Sequence, residues 1–139
     1  MNILFLCVAN SARSQIAEGL AKAMLGSNHN IQSAGSIPSG KVHPHAISTM
    51  KDMGIDLSDH YSKSIDDLDD NFLLNLDYVI TLCAEEVCPV LPSSANSLRW
   101  MNEDPANDTY TEAQLQNSFM TTRENIYKLI KKFMIMNLK

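Results

Sequence analysis

Ile3-Leu4-Phe5-Leu6-Cys7-Val8-Ala9-Asn10-Ser11-Ala12-Arg13-Ser14 reads as an apolar strand, a tight loop of small residues and the first turn of a helix. The unbroken apolar run is the pattern of a parallel strand buried on both faces. Cys7 and Arg13 frame the loop, with five residues between them: Val8, Ala9, Asn10, Ser11 and Ala12. A loop of this size turns successive backbone N–H groups toward one point. The helix that follows adds unpaired N–H groups and the positive end of its dipole. Arg13 adds a planar, two-pronged donor. The combination describes a site for a tetrahedral oxyanion with Cys7 at its floor. A helix N-terminus and an arginine both favour the thiolate over the thiol, and the Ser14 hydroxyl is placed to bond the sulfur. A strand-end cysteine is often inert packing. This one stands where a strand meets a helix, which is where such a loop is built.

Working outward, Asn2–Leu6 is the first strand. Ile16, Ala17, Leu20, Ala21 and Met24 then recur at helical spacing over Ser14–Leu25, with Gly26 as the stop. Asn30–Ala34 is a second strand, ending at Gly35. Pro44 suits the first position of a helix whose apolar face is Ala46, Ile47, Met50 and Met53, ended by Gly54. Ser64 caps a short helix through Ile65, Leu68, Phe72 and Leu73, with Asp66, Asp67, Asp69 and Asp70 on its solvated face. Tyr78–Leu82 is a third strand with Cys83 at its end, and Ser97–Trp100 a fourth. Thr111 caps a last helix, buried along Leu115, Phe119, Ile126, Leu129, Ile130 and Phe133, with a break expected near Asn117 or Ser118. Alternating strands and helices imply a parallel sheet with helices on both faces. Sites in such sheets lie beyond the carboxyl ends of the strands, where Cys7 and Cys83 both fall.

The 139 residues suit one domain over 1–139. An apolar fraction of 45% with 19% charged residues is that of a globular chain. The net charge of -5 argues against nucleic acid as a partner. No stretch is long and apolar enough to span a bilayer, and the N-terminus runs straight into a strand, so the expected location is the cytoplasm. Three cysteines there point to thiol chemistry rather than a disulfide framework. His29, His43, His45 and His60 show no metal-ligand spacing with the cysteines and are read as structural or solvent-facing; no metal is expected.

Three pieces come together: the Cys7–Arg13 loop, Cys83-Ala84-Glu85-Glu86-Val87-Cys88-Pro89, and Trp100-Met101-Asn102-Glu103-Asp104-Pro105-Ala106. With Ser14-Gln15, Ala17-Glu18-Gly19, Ser33-Ala34-Gly35, His43-Pro44 and Met53-Gly54-Ile55-Asp56, they make the chain resemble the low-molecular-weight protein tyrosine phosphatase superfamily. Within it, the thioredoxin-coupled arsenate reductases are the nearer match. The resemblance implies an α/β fold with a four-stranded parallel sheet in the order 2-1-3-4. It implies catalytic roles for Cys7, Arg13, Ser14, Cys83, Cys88 and Asp104, with Asp104 rather than Glu103 as the acid. Cys7 would attack arsenate, Cys83 would take the Cys7 sulfur as arsenite leaves, and Cys88 would carry the disulfide outward to thioredoxin. No cofactor is implied. A lone cysteine can only exchange ligands on arsenate; reduction needs a second thiolate.

Three departures from that pattern matter. Cys83 and Cys88 enclose four residues where the best-known members enclose six, which leaves glutaredoxin with glutathione as an alternative reductant. Ala12 stands where many reductases carry a further cysteine. Lys63 stands where potassium-binding members carry an aspartate that works with residues matching Asn10, Glu18 and Ser33. The Lys63 ammonium is therefore expected to replace the ion and reach both Glu18 and the Asn10 amide oxygen. A phosphatase working through a phosphocysteine at Cys7 is the alternative activity. A non-catalytic oxyanion-binding module is the third. The chain is expected to be a monomer.

Overall fold

The computed structural model describes residues 1–84, 91 and 94–137. Its elements run β1 (Asn2–Cys7), α1 (Arg13–Leu25), β2 (Asn30–Gly35), α2 (Pro44–Lys51), a 3-10 turn (Ile65–Asp67), α3 (Asp70–Leu74), β3 (Tyr78–Cys83), β4 (Asn96–Asn102) and α4 (Glu112–Asn137). All pairings are parallel, in the order β2-β1-β3-β4. The α/β fold and strand order are those expected. The chain moves from β1 to one side, then returns to the other side for β3. The crevice at such a reversal opens at the strands' carboxyl ends, between Cys7 of β1 and Cys83 of β3.

Alternation along β1 explains why its whole run is apolar. Ile3 and Phe5 join Ile16, Leu20, Ile80, Leu82, Phe119, Ile126 and Phe133 in the larger core. Leu4 and Leu6 face the other way, against Ala34, Leu68, Phe72, Leu76 and Val79. Helices α1, α2 and α4 cover the first face, and the 3-10 turn with α3 covers the second. Gly19 lets α1 approach closely: a Cβ there would lie 2.8 Å from Leu57 Cδ2 and 3.1 Å from Met50 Cε.

Three local expectations are corrected. The helix capped by Ser64 is two pieces: Ser64 and Asp67 close a capping box on the 3-10 turn, and Asp69 caps α3 separately. Two competing caps within five residues stop one helix and start another. In α2 the buried residues are Ala46, Thr49 and Met50, while Ile47 and Met53 are exposed, because only an i, i+3, i+4 set meets α1 and α4. Helix α4 is unbroken. Asn117 and Ser118 do not interrupt it, since Ser118 Oγ bonds Pro105 O (3.1 Å) across the fold rather than its own helix. Among the described residues, no helix is long and apolar enough to cross a membrane.

Candidate active site

The loop between β1 and α1 is shaped by what its carbonyls bond. Val8 O accepts from Ile37 N, Ala9 O from Ser39 N, Ser11 O from His43 N and Ala12 O from Ile16 N, each at 2.9 Å. Asn10 O accepts from Gln15 Nε2 at 3.1 Å. A trans peptide is planar and holds C=O opposite to the next N–H, and no peptide bond described here is cis. Five carbonyls fastened outside therefore aim the five N–H groups of residues 9–13 to the other side, into one cup. The amide of Asn10 shows the direction: its N–H lies 3.3 Å from Cys7 Sγ. Helix α1 has Ala12 as its N-cap, with no capping side chain, so its first N–H groups belong to this cup too.

The loop rests on β2. A Cβ on Gly35 would lie 2.4 Å from Val8 O and 2.9 Å from Asn10 N, so only glycine fits behind the loop. Asn10 takes the one positive φ among the described non-glycine residues, 48°, a conformation asparagine tolerates. Its side chain is fully buried and uses all four hydrogen-bonding positions. Nδ2 donates to Ser14 Oγ (2.8 Å) and Ser33 Oγ (3.0 Å). Oδ1 accepts from Gln15 Nε2 (3.0 Å) and from the main-chain N–H of Lys63 (2.9 Å).

At the floor, Cys7 is a buried free thiol. Ser14 Oγ lies 2.8 Å from its sulfur; with a thiolate there, the hydroxyl is necessarily the donor. Arg13 is also buried, and its Nη1 donates to Asn102 O at 2.9 Å. That bond ties the guanidinium to the end of β4, across 89 residues of sequence. Cys83 is buried at the end of β3 and pairs with Asn102 in the ladder. Cys7 and Cys83 thus end adjacent parallel strands. Cys88 lies outside the described residues. Asp104 follows β4 by two residues and is exposed, its Oδ1 accepting from Ala106 N (3.0 Å). It lines a cleft of about 540 Å³ with Met101, Asn102, Glu103, Tyr110 and Ser118.

Beneath the loop lies a buried ionic cluster. Glu18 Oε1 accepts from Ser33 Oγ at 2.6 Å, and Lys63 Nζ stands 3.7 Å from the same oxygen. Glu18 Oε2 meets Lys22 Nζ (2.6 Å) and lies 3.6 Å from His60 Nδ1. Burial pushes the Glu18 carboxyl up, but Lys22, Ser33, His60 and Lys63 outweigh it and hold the carboxyl below its usual value. Burial lowers the Lys63 ammonium below the usual lysine value, against the pull of Glu18. Lys63 is therefore an inside residue, contrary to the habit of lysine. One expectation fails here. The Asn10 amide oxygen is held by the Lys63 main chain and Gln15, not by the ammonium, which instead lies over the Tyr61 ring, 4.8 Å from its centroid. No role for Gln15 or Asn102 follows from the sequence, and His60 is expected from it to be structural or solvent-facing. His60 Nδ1 lies 3.0 Å from Gln15 Oε1, extending the loop's support. The signals for Gln15 and Asn102 were membership of the Ser14-Gln15 pair and of the stretch over residues 100–106.

A family model described as low molecular weight phosphotyrosine protein phosphatase matches residues 2–138. The chain belongs to that family. The arsenate reductase of Halalkalibacterium halodurans is 41% identical over 133 residues, covering 94% of this chain and 93% of the relative. A solved arsenate reductase in its phosphate-binding state superposes with a TM-score of 0.78 at 31% identity, covering 96% of each chain. A thioredoxin-dependent arsenate reductase from Corynebacterium glutamicum gives 0.69 at 30% identity, over 97% of this chain and 62% of that one.

Proposed function

We propose that this chain reduces arsenate to arsenite. One observation carries the reading: the free thiol Cys7 lies at the floor of a cup of inward N–H groups, and a second cysteine, Cys83, ends the neighbouring strand. The similarity to arsenate reductases across nearly the whole chain supports it. Arsenate binds in the loop of residues 8–13, with Arg13 as its charged donor. Cys7 thiolate attacks arsenic, and one oxygen leaves as water with a proton from Asp104. In the reduced enzyme, Cys83 thiolate then attacks Cys7 sulfur. The S–As bond breaks, its electron pair stays on arsenic, and arsenite leaves a Cys7–Cys83 disulfide. Cys88 takes Cys83 in turn and frees Cys7. A thioredoxin dithiol reduces the last disulfide, with glutaredoxin and glutathione as the alternative reductant. No metal or organic cofactor enters these steps. Cys7, Arg13, Asp104 and Cys83 all come from one chain, so a monomer suffices, and the thiol chemistry fits a reducing cytoplasm.

The test is an arsenate assay run in parallel with reduced thioredoxin and with glutaredoxin plus glutathione. Arsenite formation with either reductant is expected. Its absence with both, alongside robust phosphotyrosine hydrolysis, would replace this reading with the phosphatase one. The residue after Pro105 is Ala106, packed against the core, so no aromatic wall follows the acid directly. Slow hydrolysis of small aryl phosphates is expected as a side activity.

Lys63 has a loop-supporting role in this scheme: its ammonium supplies a tethered unit charge to Glu18. Activity is therefore expected to be indifferent to potassium against sodium at constant ionic strength. Lys63→Asp should create a potassium response, and Lys63→Met should lower both turnover and melting temperature, because it removes the buried cation beside Glu18 Oε1 and leaves Lys22, among the described residues, as the one lysine on that carboxylate. Strong potassium activation of the unmodified chain would refute the role.

A further inference from the structure

His43 stands where four parts of the fold meet. Its main-chain N–H holds Ser11 O at 2.9 Å, and that fastening aims the Ala12 N–H into the anion cup. Its Nδ1 accepts the N–H of His45 at 3.1 Å and so caps α2. Its ring lies against Phe119 of α4, with centroids 4.8 Å apart. Asp104, on the segment after β4, is near enough to act on it electrostatically. A main-chain N–H can only donate, so Nδ1 must present a lone pair, and neutral His43 carries its proton on Nε2.

We propose that His43 is a positioning residue for the oxyanion loop, acting as a neutral imidazole whose cap on α2 holds in place the N–H that fastens Ser11. The inference rests on reading the loop as the oxyanion site. Protonation of Nδ1 would set a donor against the His45 N–H and break the cap. The groups facing the ring are Lys41 and His45 from its own segment and Asp104 from the β4–α4 connection. Glu112 of α4 is turned to His45, at 2.8 Å from Nε2. Phe119 and Ser11 bring no charge. Burial and His45 lower the imidazole below the usual histidine value, and Lys41 adds to them against Asp104. The neutral form is thus the resting one at neutral pH.

The sign of the effect separates this role from simple electrostatics. A protonated histidine that merely neighbours an anion strengthens binding as pH falls. A lost fastening weakens it. Sulfate is a suitable probe, because it stays a dianion between pH 7.5 and 5.5. Its affinity would be measured by calorimetry for the reduced unmodified chain, His43→Asn, His43→Ser and His43→Ala. Asn and Ser cap without titrating in this range. Relative to both cap variants, the unmodified chain should lose affinity on acidification, by about five-fold at most, the whole worth of the cap. His43→Ala should bind more weakly than His43→Asn at pH 7.5, by about five-fold at most. All four share Cys7, so its titration cancels in the comparison, and two cap variants guard against misfolding in one. The proposal is overturned if the unmodified chain tracks the cap variants or gains affinity relative to them, or if Asn and Ser bind no better than Ala. Absence of sulfate binding by the unmodified chain at pH 7.5 would remove the oxyanion reading itself.

Discussion

Cys7→Ser is expected to abolish both arsenate reduction and aryl phosphate hydrolysis, by on the order of 10⁴-fold or more. The substitution leaves the cup nearly intact. Its N–H groups are directed by carbonyls bonded to Ile37, Ser39, Gln15, His43 and Ile16, none of which depends on the sulfur. The serine hydroxyl can still meet Ser14. What disappears is the anionic nucleophile: an alcohol stays protonated where the thiolate, held by the Asn10 N–H and the Ser14 hydroxyl, attacks. Melting temperature and phosphate affinity should therefore stay close to those of the unmodified chain while turnover vanishes. Residual turnover above a few per cent would show that Cys7 is not the nucleophile.

Cys83→Ser should separate the two chemistries of the site. The first step needs only the loop, Arg13 and Asp104, so arsenic should still reach Cys7. Without a second thiolate, nothing takes the Cys7 sulfur, and steady-state reduction should fall to the slow rate that external thiols sustain. Cys88→Ser should stall one step later, after a single turnover, with a Cys7–Cys83 disulfide. Mass spectrometry of acid-trapped protein distinguishes the states. Undiminished thioredoxin-driven reduction in Cys83→Ser would sink the relay. So would failure of a Cys83–Cys88 disulfide to appear during turnover of the unmodified chain, which would favour glutathione as the resolving thiol.

Much of this site is written in one contiguous stretch. Cys7, the small loop residues, Arg13 and Ser14 are neighbours in sequence, and a strand followed by a helix leaves a loop of this length few other shapes. The apolar run of β1 likewise announced burial on both faces. Local readings failed where packing outvoted propensity. Asn117 and Ser118 looked like a break, but the long stripe from Phe119 to Phe133 is buried as one surface and keeps α4 whole. The support of the loop was beyond sequence for a different reason. Arg13 is held by Asn102 O, Asn10 by the Lys63 main chain, and Ser11 by that of His43. These bonds use main-chain groups, which every residue type carries, so no pattern of side chains marks them. Sequence alone marked out Cys7 as the candidate nucleophile, together with its loop, because their spacing is covalent. Only the tertiary structure decided what holds that loop open, because those partners come from distant segments that meet when the sheet forms.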